Sequence, residues 1–274
     1  MTELATIEPQ VATPRQPVRR RLSLSAVAWP VLGLVVMVAA WWGAVRALGL
    51  NPIVLPAPVD VVDGYQRYSQ VLLAETGSTA LSAVLGFLCS VVVGVLIGVA
   101  IAAWRPFERM FQPLLVAFNA VPKVALAPLL LIWFGYGQTP IVAMAFMVCF
   151  FPIVLSTATG LTSTPADLAE LVRSMDASRL QTFVRVRLPA ALPQMFVGLK
   201  VGMPLAVIGV VVGEMQYGES GLGTIIVQTS GQGDTATAFA AIAFLAAVSI
   251  VLYYALVLVE RVTLPWVKAT TSQR

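Results

Sequence analysis

The sequence predicts an all-α, polytopic membrane protein of six transmembrane helices, and three observations lead there. Of 274 residues, 58% are hydrophobic and only 11% are charged, with a mean hydropathy of +0.87; a soluble domain carries about 25% charged residues. Apolar runs of about 20 residues, long enough to cross a bilayer, recur along the chain. Basic residues fall on alternate segments between those runs, which is the positive-inside pattern. Too little polar sequence is present to clothe a water-soluble core of this size.

Residues 1–25 are expected to form a disordered cytoplasmic tail, because the first part is polar and carries Pro9, Pro14 and Pro17. Arg19, Arg20 and Arg21 then precede an apolar run from Ala26 to Val45. A signal peptide has the same order of parts, and paired arginines hint at twin-arginine export. The run is nevertheless longer than an h-region of about 7–15 residues, and Trp41 and Trp42 lie toward its far end as interfacial anchors. It reads as a retained first span over 26–45. The remaining spans fall at 78–103, 113–135, 139–161, 190–213 and 237–259, within a transmembrane domain over 26–266 that a short cytoplasmic tail, 267–274, follows. With the N-terminus inside, 13 basic residues lie on inner segments, two (Arg46, Arg67) on outer ones and two (Lys123, Lys200) within spans, which accounts for all 17. The outer loop after the fifth span holds Glu214, Glu219 and Asp234 and no basic residue. Both termini are therefore expected in the cytoplasm.

Within the second span Gly86, Ser90, Gly94, Gly98 and Ala102 recur every four residues as one stripe of small side chains. Lipid gives helices no hydrophobic reason to associate, so close backbone approach supplies the contact. Contact within the subunit is the expected use, a subunit interface the alternative; Gly198 and Gly202 repeat the pattern on the fifth span. The third span carries Pro122 and Pro128, and a broken helix at membrane depth survives only against protein or a wet cavity. Cys89 and Cys149 lie in apolar runs and read as small hydrophobes. With no histidine, the commonest metal ligand and general base is missing.

The polar segment Thr164–Pro189, part of an inner loop over 162–189, interrupts this pattern. Thr164 can cap a helix, Pro165 suits its first position and Asp167 can return the capping bond. Leu168, Leu171, Val172 and Met175 then repeat at i, i+3, i+4, i+7, an apolar stripe. Asp176 stands where the helix stops, tolerating left-handed geometry better than most residues. Ser178 with Gln181 reads as a second capping box, and Leu180, Phe183 and Val184 as a second apolar face. Two short helices in an L would present an apolar knob rimmed by Arg173, Arg179, Arg185 and Arg187. Burying four such side chains in a partner contributes at most about 6–12 kcal/mol before association costs.

This loop resembles the EAA motif of ABC importer permeases: E-A-A, three residues, G, nine residues, I-x-L-P. Counting back from Leu188-Pro189 puts Val186 at the isoleucine, Asp176 at the glycine and Glu170 at the glutamate, with Leu171 and Val172 in place of the alanines. Other segments resemble the nitrate/sulfonate/taurine-type branch of that family. They are Leu55-Pro56-Ala57-Pro58, Val121-Pro122-Lys123 with Ala127-Pro128-Leu129, Trp133-Phe134-Gly135, Gly198-Leu199-Lys200, Gly213-Glu214-Met215, Gly221-Leu222-Gly223, and Glu260-Arg261 with Trp266. The resemblance covers about residues 50–266 and implies the fold of a type I importer permease.

It also implies a role. In such systems the loop helix docks in a groove on a cytoplasmic ATPase subunit, here through Leu168, Glu170, Leu171, Val172, Met175, Asp176, Arg179, Leu188 and Pro189. ATP-driven closure of two ATPases rocks two permease subunits, commonly two copies of one chain, and an extracytoplasmic binding protein delivers the solute. The solute expected is a small anion such as an aliphatic sulfonate, taurine, nitrate or bicarbonate; related systems carry vitamins or their precursors. No cofactor is expected on this chain, which has no G-x-x-x-x-G-K-[ST] loop, and ATP would sit on the partner. No nucleic-acid partner is expected, and the site is a bacterial cytoplasmic membrane. Lys123, Lys200 and Glu214 are candidate pathway residues, because charge in a membrane is costly unless it faces a cavity; snorkelling to the interface is the alternative for Lys200. An ion-coupled carrier would need acids in the membrane, and no Asp or Glu lies within the six windows. A membrane enzyme lacks its constellation without histidine.

Overall fold

The computed structural model describes residues 24–266, apart from 164–171, 173 and 175. Every described element is helical: α1 (Leu24–Ala47), α2 (Pro58–Ala103), α3 (Arg105–Ala120), a 3-10 turn (Lys123–Leu126) leading into α4 (Ala127–Phe134), and α5 (Gln138–Thr162). There follow α6 (Arg179–Thr182), a π-helical turn (Phe183–Arg187), α7 (Leu188–Tyr217), α8 (Leu222–Gly231) and α9 (Thr235–Thr263). Five stretches are long and apolar enough to cross a membrane, or six if α3 and the segment through α4 count as one bent span. The all-α, polytopic class is as the sequence predicts. The tails before Leu24 and after Trp266 lie outside the described residues.

The chain divides into two units at Gly49. In the first, the 24 residues of α1 reach about 36 Å, enough to span. Leu32, Val35, Val36 and Met37 are exposed, as on a lipid-facing helix. The Arg46 guanidinium lies 4.7 Å from the Trp42 ring centroid, a cation–π contact near the helix end.

The second unit is built on α5, whose Met144, Ala145, Cys149, Ile153, Val154 and Thr157 are all buried. The small-residue stripe of α2 lies against one side of it. A Cβ at Gly86 would stand 2.5 Å from Ala145 Cβ, and one at Gly98 2.6 Å from Thr157 Cβ. Ser90, in the same stripe, donates to the Phe146 carbonyl at 2.8 Å. The stripe of α7 also lies against α5: a Cβ at Gly198 would fall 2.4 Å from Ser156 Cβ and one at Gly209 2.7 Å from Ala145 Cα. Both stripes thus serve contact within the subunit. Gly209→Ala meets backbone, which cannot move aside, and is expected to destabilise the bundle by about 1–3 kcal/mol. Gly77→Ala, with nothing within 4 Å of the added carbon, should leave it unchanged; folded yield on fluorescence-detected size exclusion checks both.

The helices outrun the hydropathy windows. α2 is 46 residues long, bent where Tyr68 leaves helical geometry (φ −119°, ψ 21°), and Tyr65 in its early turns stacks on Phe244 of α9 with ring centroids 5.6 Å apart. Apolar windows measure only the stretch that suits lipid, whereas hydrogen bonding continues through Asp60, Arg67 and Glu75. Consequently acids that lie outside the six windows are still helical: Glu75 lies in α2 and Glu260 in the last turn of α9.

The third span is broken, as its prolines predict. Two segments, Pro106–Ala120 and Lys123–Phe134, meet at 83°. Pro122 has no N–H and its ring would strike the carbonyl four residues back, and the residue before a proline is pushed to extended geometry; Val121 accordingly has φ −69°, ψ 127°. Pro128 is tolerated in the first turn of α4. The two arms are anchored separately: Phe107, Phe111 and Leu115 of α3 pack on Ile101, Phe150 and Val154, whereas Ala127 and Leu130 of α4 enter the main core.

Candidate functional site

At one end of the bundle the polar segment joins the helices. Among its described residues, Val172 and Ser174 are helical and Asp176 forms a turn. Asp176 has φ +53°, the one left-handed non-glycine residue among those described, and the Ala177 N–H reaches the Val172 carbonyl at 3.4 Å. That is the geometry a helix-ending glycine would supply, reached here by a residue whose short polar side chain tolerates it. Ser178 and Gln181 form the reciprocal box: the Gln181 N–H donates to Ser178 Oγ at 3.3 Å and the Ser178 N–H to Gln181 Oε1 at 3.0 Å. Leu168, Glu170, Leu171 and Met175 lie outside the described residues, as does the side chain of Arg179.

The second of the two short helices expected in an L does not stand apart from the fifth span. α6 runs through the π turn into α7, with the Leu188 N–H donating to the Phe183 carbonyl. Pro189 cannot bond to Arg185 as an ordinary helical residue would, and the wider turn upstream accommodates its ring without ending the helix. The whole stretch, Leu180–Tyr217, is one rod. Phe183 and Leu188 pack on Leu161, Ala191 and Met195, which fixes the root of the rod. Leu180 and Val184, four residues apart and so on one face, are 72% and 50% exposed. Arg185 and Arg187 stand beside them, also exposed.

The intramembrane charges have partners. Lys123 donates to the Asn119 carbonyl at 3.2 Å and to its Oδ1 at 3.0 Å, closing the C-terminus of α3 where it breaks. Lys200 of α7 donates to both carboxylate oxygens of Glu260 on α9 at 2.9 Å. Glu214 is 2% exposed. Its Oε1 accepts from the Thr79 hydroxyl at 2.8 Å and its Oε2 from the Gly223 N–H at 2.8 Å. The Leu222 N–H donates to Thr79 Oγ1 at 2.9 Å, and the Gly221 N–H donates to Glu75. Glu75, the Thr79 hydroxyl and Glu214 thus satisfy the successive amides of Gly221, Leu222 and Gly223 at the start of α8 and tie α2, α7 and α8 together. Glu75 was not among the residues the sequence singled out, and Glu260 entered only as part of the Glu260-Arg261 resemblance, not as a partner of Lys200. Glu75 stands four residues before Thr79, a helical-face spacing that is visible in the sequence, and Glu260 lies one residue beyond the last window.

A bundle built on an enclosed α5, a broken third span and a helix running out at a basic end define a polytopic helical membrane protein. The chain belongs to the family of binding-protein-dependent transport system inner membrane components, whose model matches residues 90–264. It is 36% identical over 250 residues to the riboflavin transport system permease protein RibX of Chloroflexus aurantiacus, covering 89% of this chain and 93% of that one. With the formylaminopyrimidine transport permease protein ThiX of Halalkalibacterium halodurans it shares 34% identity, covering 87% and 96%. The putative aliphatic sulfonates transport permease protein SsuC of Bacillus subtilis is 29% identical, covering 93% and 94%. In fold it is similar to a chain of the MetNI methionine ABC transporter, in an inward-facing conformation, with a TM-score of 0.64, 19% identity, and coverage of 72% of this chain and 97% of that one. This is a multi-pass permease of the ABC importer class.

Proposed function

We propose that this permease imports a heterocyclic vitamin or vitamin precursor, working as a pair of copies with ATPase subunits on one face and a solute-binding protein on the other. The face carrying Arg185, Arg187 and Arg261 is the cytoplasmic one, in line with the positive-inside rule. The face carrying Glu75, Glu214 and Asp234 receives the solute. ATP is held by the partner subunits. The observation that carries the coupling role is the rod Leu180–Tyr217, which leaves the bundle at its basic end with Leu180 and Val184 uncovered. Val172, Asp176, Arg179, Leu188 and Pro189 shape and root that segment, and Leu168, Glu170, Leu171 and Met175 complete its docking face.

Two findings support a heterocycle over a small anion. Lys123 and Lys200, whose charges motivated an anionic solute, are each hydrogen-bonded within the chain. The riboflavin and formylaminopyrimidine permeases share 36% and 34% identity with this chain, against 29% for the sulfonate one. An anion remains the second reading, favoured by the Lys123 ammonium, which stays partly exposed at the break and lines the pathway in that case. Uptake by the complete importer in proteoliposomes decides, with labelled riboflavin, an aminopyrimidine, taurine and nitrate each delivered by the binding protein. ATP-dependent entry of a heterocycle, little changed by Lys123→Ala, is the expected result. Entry of taurine or nitrate alone, lost in Lys123→Ala, would establish the second reading instead.

A further inference from the structure

We infer that the Lys200–Glu260 ion pair is the link through which movement of the coupling segment reaches α9. The inference rests on the reading of that segment as the ATPase contact. Three observations meet here. The chain is helical without a break from Leu180 to Tyr217, through the π turn, Pro189 and Pro193, so a displacement at Leu180 has a covalent, hydrogen-bonded path along α7 to Lys200. The second half of α9 is held by few buried side chains, with Leu252 packed on the core and Leu264 buried just past its end. Thr237, Ala238, Ala240, Ala241, Leu245 and Val248 are buried in its first half, whereas Leu256 alone is buried beyond them. In that second half Val251, Tyr254, Leu258 and Val262 are 62–72% exposed. Finally, Lys200 Nζ lies 2.9 Å from both Glu260 oxygens, with the two side chains only 23% and 21% exposed.

The physics of the pair favours a link that holds. In this largely covered position an ammonium and a carboxylate that separate each give up a close, two-point partner, so the two helices stay joined as α7 moves. A packing contact between smooth apolar faces in lipid would allow sliding. It is the one ion pair among the described residues. On α9 the neighbouring charge is Arg261, which is exposed, and no other charge lies within a turn of Lys200 on α7. Lys200 and Glu260 are thus positioning residues that act through α9.

The test uses the complete importer in proteoliposomes and reads solute moved per ATP hydrolysed, a ratio that a loss of folded protein does not change. Lys200→Met and Glu260→Gln are each expected to lower that ratio about tenfold, a usual size for a coupling effect, with the ATPase subunits still bound and hydrolysing. Lys200→Glu combined with Glu260→Lys should bring the ratio back to within about threefold of wild type. A wild-type ratio in both single variants would overturn the link. So would single variants that lose the ATPase subunits and a double variant that does not recover, since the pair would then only hold the fold. Failure of the underlying reading shows separately: Leu180→Asp would leave ATPase binding untouched.

Discussion

Glu214→Ala is expected to destabilise the permease by about 3 kcal/mol, the cost of leaving two buried donors without their acceptor. Thr79 is fully buried, and the Gly223 amide sits beside it at the start of α8. Removing the carboxylate leaves both donors without an acceptor in a place water reaches poorly. For a chain of this size about 2–4 °C accompanies each kcal/mol, so Tm should fall roughly 6–12 °C in detergent. Glu214→Gln keeps one acceptor and should fall about half as far. Gly221→Ala reaches the same outcome by another route. Gly221 has φ +107°, and an added Cβ would lie 2.2 Å from Glu214 Cδ, so the residue is strained in backbone and in contact. A Tm within about 2 °C of wild type for Glu214→Ala would show that the knot is not a main support of this end.

Leu180→Asp with Val184→Asp should abolish ATPase binding and leave the permease folded. Both side chains are largely exposed, so the bundle loses no packing. Withdrawing one buried aliphatic anchor removes about 1.5–3 kcal/mol, so the pair together weakens docking by at least about 100-fold in Kd. Phe183→Ala is the contrasting variant, since Phe183 packs on Leu161, Ala191 and Met195 and its loss should lower Tm. Co-purification of the ATPase subunit with the permease, read beside Tm, separates the two. Retained binding in the double aspartate variant would move the docking face elsewhere.

What could be read from residue order was whatever depends on neighbours in sequence. Pro122 dictated the break of the third span, and the small residues from Gly86 to Gly98 marked the face of α2 that meets α5. Ser178 and Gln181 formed the box their spacing implied, and Asp176 took the left-handed turn expected of it. What escaped depends on partners far along the chain. Lys200 and Glu260 are 60 residues apart, and Thr79 and Glu214 are 135 apart. Hydropathy gave α2 only its lipid-compatible part, because hydrogen bonding carries a helix past the last apolar residue. The π turn escaped because Pro189 marks the approach to the fifth span equally well whether the turn before it is ordinary or widened.

The π turn at Phe183–Arg187 has a consequence for how such a subunit is matched to its motor. A turn of this kind holds one residue more than ordinary helical winding requires. Each residue of an α-helix advances the direction of its side chains by about 100°. Omitting a single residue there would leave the bundle and the docking side chains chemically unaltered, yet swing Leu180 about a quarter turn around the rod. The bearing of the docking face is therefore set by a count of residues. A lineage can re-aim it toward a differently placed groove by one insertion or deletion, with no change in the surface that docks.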